Sequence, residues 1–207
     1  RQHRLKDVAT ALEAYRQTLL LDPAHHPSRA ALEGLAFAPA PEERGGVADD
    51  ARRDAAQLLR PLYEADAEHE KLVRILDVEN EYEAAVPARL ELFAAQARLA
   101  EEKLASPTRA FDHVVRAVRE AAAEADARPW FEHLDRLAQL TARHADHATV
   151  LRDVASEILD EDLQVDVTLR VAEIARTHLR DRELARAWFD KALEIRPQER
   201  RALVALE

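Results

Sequence analysis

Residues 11–23 read ALEAYRQTLLLDP, and residues 184–197 read LARAWFDKALEIRP. Each stretch contains an alanine, an aromatic residue four positions later and a proline eight positions after that. The two stretches are 174 residues apart in register. Self-similarity over such a distance indicates that the chain contains an internal repeat.

The matching positions are occupied by residues of the same kind. With the closing prolines aligned, Ala11 matches Ala185. In the same alignment, Tyr15 matches Phe189. The small and aromatic positions of the repeat are therefore preserved at both ends of the chain.

The repeat also extends between these two stretches. A shift of 75 residues places Ala110 on Ala185, and it also places Ala117 on Ala192. A shift of about half that length, roughly 37 residues, places Ala148 on Ala185. The sequence therefore predicts pairs of helices that recur about every 37 residues.

The composition is that of a helical protein with a substantial core. Apolar residues make up 47% of the 207 residues, aromatic residues make up only 5%, and the chain has 3 glycines. Apolar residues at i, i+3, i+4 and i+7, with breaks at proline and aspartate, predict about eleven helices. We therefore predict an all-α fold. The predicted helices cover residues 5–21, 27–37, 48–64, 68–83, 87–104, 107–123, 129–143, 147–160, 163–179, 182–195 and 198–206.

One segment has the pattern of a β-strand. Residues 163–171, LQVDVTLRV, alternate apolar and polar residues. Helical spacing nevertheless continues through Val171, Ala172 and Ala175, and the sequence offers no second strand to pair with this one. We therefore predict that this segment is helical.

The spacing of small residue, aromatic residue and proline resembles the second helix of a tetratricopeptide repeat. The resemblance implies antiparallel helix hairpins stacked in a right-handed α-solenoid. It also implies that the small and aromatic residues at the repeated positions of the second helices pack in the core. These are Ala11, Tyr15, Ala110, Ala117, Ala185, Phe189 and Ala192. The chain departs from the family pattern in the first helices, where charged residues replace the usual small and aromatic ones. These residues are Arg98, Glu101, Glu173 and Arg176.

The predicted organisation has three parts. Residues 1–37 hold a partial repeat and an unpaired helix. Residues 38–47, APAPEERGGV, have loop composition and form a loop or a hinge. Residues 48–207 hold about four helix hairpins and a C-terminal partial helix. Because the outermost helices lack partners, we expect the sequence to be part of a larger protein.

No motif for catalysis or for cofactor binding is present. The chain has no cysteine, and it has no glycine-rich phosphate loop or nucleophile elbow. His144 and His147 come closest to metal-ligand spacing, but zinc requires three or four ligands that converge. We therefore predict no enzyme activity, no cofactor and no metal site, and we place these two histidines at a polar turn between helices.

The charge of the chain limits its partners. The net charge is −10, and no basic patch stands out. Nucleic acids and anionic membranes are poor partners for such a chain. We therefore predict that the chain binds neither of them and that its partner is a protein or a peptide.

The family resemblance also implies where a partner binds. In tetratricopeptide arrays the first helices line a concave groove that holds a peptide or a helix. Trp130 begins a first helix, so it is either a core residue or an apolar anchor for the partner. The implied partner-binding residues are Lys103, Trp130, His133, Arg170, Ile174 and His178, with Leu99 and Leu137 beside them.

The two cations in this set favour acidic or mixed-sequence peptides over basic ones. Two other functions stay open at this point. The same fold can serve as a regulatory module that senses a ligand or a peptide. It can also serve as a structural spacer that self-associates through the exposed ends of the repeat array.

Overall fold

A computed structural model describes the backbone of residues 2–39 and 47–207 and the side chains of residues 8–39 and 48–207. Most of the loop or hinge predicted at residues 38–47 lies outside these described residues. About 80% of the described residues are helical, and none of them forms a β-strand. The predicted all-α fold is thereby confirmed.

The described residues form eleven α-helices and one π-helical turn. The helices are α1 (Gln2–Leu21), α2 (His26–Ala36), α3 (Val47–Ala65), α4 (His69–Tyr82), α5 (Val86–Glu102), α6 (Pro107–Ala121), α7 (Arg128–Thr141), α8 (His144–Val154), α9 (Glu161–Ile174), α10 (Arg182–Ile195) and α11 (Arg200–Leu206). The π-helical turn, Ala175–Leu179, continues α9. Prolines stand in the first turn of α2, α5, α6 and α7, where the missing N–H has no helical acceptor.

The chain divides into two compact units at the turn after α5. Unit 1 is Arg1–Leu104 and unit 2 is Ala105–Glu207. Within each unit the helices pack mainly against their neighbours in sequence, which is compatible with a helical repeat. Helix α2, which was predicted to have no hairpin partner, packs against both α1 and α3.

A left-handed backbone residue recurs at a nearly constant interval. The residues are Ala67, Ala105, Ala142 and Arg180, with φ values of 56°, 47°, 56° and 56°. They are 38, 37 and 38 residues apart, close to the interval of about 37 residues expected from the sequence. Each of them lies in the turn after an odd-numbered helix, from α3 to α9. The repeat is therefore visible in the backbone as well as in the side chains.

Backbone hydrogen bonds explain why the chain turns at these residues. The N–H of Glu68 donates to the carbonyl of Tyr63 at 3.0 Å, five residues back. The N–H of Arg143 makes the equivalent bond to the carbonyl of Ala138, also at 3.0 Å. Such a bond around a left-handed residue satisfies a carbonyl that would otherwise have no partner at the end of a helix.

Glycine at one of these turns is expected to stabilise unit 2. Alanine with a positive φ is strained, and glycine relieves that strain at some cost in the entropy of the unfolded chain. We expect Ala142→Gly to raise the free energy of unfolding by about 0.5–1 kcal/mol, as measured by urea denaturation. Ala187→Gly is the matched control, because Ala187 is exposed inside α10, and this change should be destabilising. A loss of stability at both sites would contradict the role of the left-handed turn.

The segment that alternates like a strand is helical, as predicted. It lies inside α9, which packs against α8 and α10. Helix α9 is covered on more than one side, so apolar residues are required around most of its circumference. The alternation in the sequence therefore reflects burial. The buried positions are Leu163, Val165, Val167, Leu169 and Val171.

Candidate functional site

The partner-binding residues predicted in unit 2 lie on α7, on α9 and on the π-helical turn. Trp130 and His133 are half-buried, and His178 is exposed. Ile174 is only 6% exposed, and Leu137 is fully buried. This corrects the prediction for these two residues, since they pack inside unit 2 and offer no surface to a partner.

Arg170 forms an ion pair that the sequence did not predict. Its guanidinium contacts the carboxylate of Asp135 on α7. The other oxygen of this carboxylate, Oδ1, lies 2.9 Å from Nε2 of His147, although the two atoms do not have the alignment of a hydrogen bond. Because Asp135 compensates the charge of Arg170, this arginine is poorly suited to attract an acidic peptide.

Similar ion pairs join other residues that are about one repeat apart in sequence. Arg29 and Asp66 are 2.6 Å apart at their closest atoms, and Arg128 and Asp166 are 3.0 Å apart. In these pairs an arginine and an aspartate are separated by 35 to 38 residues in the sequence. The same separation could have identified Asp135 as the partner of Arg170.

The two histidines assigned to a polar turn have different environments. His144 is half-buried, and its ring stacks on the ring of His178 with centroids 3.5 Å apart and 16° between the planes. His147 is buried in the first turns of α8, which corrects its placement at the surface. Burial lowers the pKa of His147 to about 4. Across the described part of the chain, no group of three or more suitable side chains is arranged to hold a metal ion.

Lys103 belongs to unit 1, whereas the other predicted partner-binding residues belong to unit 2. Its side chain is exposed at the end of α5. Leu99 is half-buried against the core of unit 1. The predicted packing residues of unit 2, Ala110, Ala117, Ala185, Phe189 and Ala192, are all buried. In unit 1, Ala11 and Tyr15 are half-buried, and Tyr15 packs against the core.

Two adjoining clefts in unit 1 form a surface that the sequence did not predict. The α1–α3 cleft has a volume of about 700 Å³. The α3–α5 cleft, which also includes the end of α4, has a volume of about 490 Å³. Arg53 and Gln57 line both clefts, so the two meet along α3. We refer to them together as the α1–α3–α5 surface.

Helical periodicity explains how α3 contributes to this surface. One stripe of the helix faces the clefts, and a different stripe faces the core of unit 1. The cleft-facing stripe is Asp50, Arg53, Asp54 and Gln57. The buried stripe is Ala55, Leu59 and Tyr63. Since residues three and four apart share a helix face, α3 can hold the core together and present charged groups at the same time.

The floor of the surface is apolar. In the α1–α3 cleft it is formed by the partly exposed Val8 and Leu58, and the buried residues Leu12 and Ala51 also line this cleft. In the α3–α5 cleft it is formed by Ala88, Leu92 and Ala95, together with the ring of Tyr82. Partly exposed apolar side chains below a charged rim are typical of surfaces that bind other proteins.

Tyr82 is held in place by a polar network between α3 and α4. Its hydroxyl donates to Oδ1 of Asp49 at 2.8 Å and accepts from Nη1 of Arg52 at 3.3 Å. Arg52 also donates to both carboxylate oxygens of Glu81, at 2.8 Å and 3.0 Å. Asp49 and Arg52 are both buried. This network fixes the angle between the two helices and therefore the shape of the α3–α5 cleft.

The rim of the surface is acidic. Within the described ranges, six carboxylates and three guanidinium groups line the two clefts. Each guanidinium already has an acidic partner: the pairs are Arg16–Glu13 at 3.8 Å, Arg53–Asp50 at 3.4 Å and Arg60–Glu79 at 2.7 Å. Burial raises the pKa of Glu79, and Arg60 opposes that shift. The arginines therefore leave an excess of negative charge along the rim.

The surface was missed because of the helix register. Ala11 and Tyr15 give α1 the pattern of a second helix, and second helices of tetratricopeptide repeats are expected to pack in the core. The run of charged residues at helical spacing on α3 was the available signal for this surface.

No protein-family model and no curated protein matches this chain. The structure defines the class of protein as all-α. Its helices pack mainly against their neighbours in the sequence, and its left-handed turns recur at a nearly constant interval. In the described ranges, every helix is too short or too polar to cross a lipid bilayer.

Proposed function

We propose that this chain is a tetratricopeptide-like repeat protein that binds a segment of another protein on the α1–α3–α5 surface. The observation that carries the proposal is the pair of clefts that meet at Arg53 and Gln57. Exposed stripes on equivalent helices of successive repeats are the usual place for such binding, and α1, α3 and α5 are alternate helices of this chain.

The shape of the surface supports a protein segment as the ligand. The two clefts lie on either side of α3, so one ligand that fills both must be elongated. A peptide or a helix has that form, and its apolar side chains can reach the floor of each cleft in turn. A compact small molecule would occupy only one of the two clefts.

Unit 2 supports binding less well. Of the residues predicted there, Arg170 is paired with Asp135 and Ile174 is buried. The side chain of His178 stacks on His144. The other two predicted residues, Trp130 and His133, are half-buried and offer only part of their side chains to a partner. We therefore assign partner binding to unit 1.

A tryptophan at the junction of the clefts tests the proposal. Peptides that bind the full chain are first selected from a display library of random sequences, and their affinities are then measured by fluorescence anisotropy. Gln57 is exposed and lines both clefts, so Gln57→Trp should fill the junction and weaken binding about tenfold or more. The fold should persist, because the side chain of Gln57 is not part of the core.

The matched control is Gln139→Trp on α7, which adds the same bulk at another exposed glutamine. This variant should bind the selected peptides as the unchanged chain does, and both variants should melt at about the same temperature. Failure to select any peptide, or equal binding by the two variants, would reject the proposal. The chain would then be better explained as a spacer between other domains.

A further inference from the structure

From the charges around the α1–α3–α5 surface we infer that the partner segment is basic and amphipathic, with lysine or arginine on both sides of a row of apolar residues. This inference rests on the proposed function and adds the chemistry of the partner. It reverses the preference for acidic peptides that the sequence suggested. Three observations about unit 1 support it.

The first observation is the balance of charge. Among the residues whose side chains the structure describes, twice as many carboxylates as guanidinium groups line the two clefts, and none of these lining residues is a lysine. The three arginines form ion pairs with acids of the same rim, so their charges are already compensated. An acidic segment would meet net repulsion here, whereas a basic segment would be attracted.

The second observation is that two rim carboxylates have no cationic partner in the part of the chain whose side chains are described. Glu91 is exposed in the α3–α5 cleft, and no group among the described residues pairs with it. The carboxylate of Glu83, in the same cleft, accepts a hydrogen bond from the backbone N–H of Ala85 at 2.8 Å. A lysine or arginine of a partner can reach these two groups without displacing a cation of this chain.

The third observation is the order of apolar and acidic groups across the surface. Val8 and Leu58 contribute to the floor of the α1–α3 cleft, and Leu92 contributes to the floor of the α3–α5 cleft. Carboxylates from α1, α3 and α5 stand beside this floor. A ligand that matches it must place apolar side chains in the centre and cations at the edges, which is the pattern of a basic amphipathic segment.

Three designed peptides test the chemistry of the partner. The first carries leucine on one helical face and lysine on the other, the second has glutamate in place of every lysine, and the third has serine in place of every leucine. Binding to the full chain is measured by fluorescence anisotropy at low salt and at physiological salt. We expect the leucine–lysine peptide to bind best and to lose affinity as salt is added.

Two double variants test the location. Asp54→Asn with Glu91→Gln removes two charges from the rim, and we expect it to weaken binding of the leucine–lysine peptide about three- to tenfold. Asp22→Asn with Glu102→Gln removes the same two charges from exposed positions of unit 1 that do not line the clefts. This control should change the affinity less than twofold, by about 0.4 kcal/mol or less.

The outcomes separate the inference from the proposed function. If the leucine–glutamate peptide binds as well as the leucine–lysine peptide, and Gln57→Trp blocks both, the surface binds protein segments but the basic preference is wrong. If both double variants weaken binding equally, the attraction comes from the overall charge of the chain, and the inference is also wrong. If neither leucine peptide binds and display selection also fails, the proposed function itself is rejected.

Discussion

Phe189→Ala is expected to lower the free energy of unfolding of unit 2 by about 3–5 kcal/mol, the usual range for truncation of a buried phenylalanine. Its side chain is only 2% exposed, and Ala185 and Ala192 are buried on the same helix. The backbone of α10 cannot close the space that the ring would leave, so the loss combines apolar transfer and a cavity. Urea denaturation followed by tryptophan fluorescence measures the effect, because both tryptophans, Trp130 and Trp188, lie in unit 2.

Leu159→Ala is the control for this experiment. Leu159 belongs to the same unit but is 78% exposed, so its truncation should change the free energy of unfolding by less than about 0.5 kcal/mol. Equal losses for the two variants would mean that the small and aromatic positions of the repeat do not form the core of unit 2.

Acidification is expected to destabilise unit 2 through His147. Burial lowers the pKa of this side chain to about 4 in the folded protein, compared with 6.5 as the ordinary value. Asp135 lies close by, but Arg170 compensates its charge, so the loss of hydration dominates. The unfolded chain therefore binds a proton more readily, and stability falls as the pH drops through the interval from 6.5 to about 4.

The size of this effect follows from the two pKa values. Between about pH 7.5 and pH 5 the contribution of His147 should reduce the free energy of unfolding by about 2 kcal/mol. Urea denaturation at the two pH values measures it. His147→Gln should remove most of the difference, whereas His26→Gln, at an exposed position on α2, should leave it unchanged. A difference that persists in His147→Gln would show that another group carries the pH dependence.

The fold could largely be predicted from the sequence because helix signals are local. Apolar spacing and first-turn prolines depend on residues within a few positions of each other, and they located all eleven helices. Helix α8 was the main exception. It runs from His144 to Val154, whereas residues 147–160 were predicted, so His147 is not the first residue of the helix and its side chain is buried.

The candidate site could not be predicted in the same way, because it depends on contacts between helices. The sequence places Arg170 at a position where a partner-binding cation is expected. In the structure its charge is compensated by Asp135, 35 residues earlier in the chain. The acidic rim arises only when α1, α3 and α5 lie on one face of unit 1. Composition and spacing describe single helices, and they do not show which charges of different helices become neighbours.

The nearly even spacing of the left-handed turns has a consequence for how repeats can be gained or lost by recombination in the gene. A recombination event with break points at two successive turns, such as Ala105 and Ala142, inserts or deletes two complete helices. Every remaining helix then keeps its own start and its own capping turn. Break points inside a helix would split it and leave carbonyl groups at the new end without partners. The left-handed turns therefore mark the places where whole helix pairs can be exchanged.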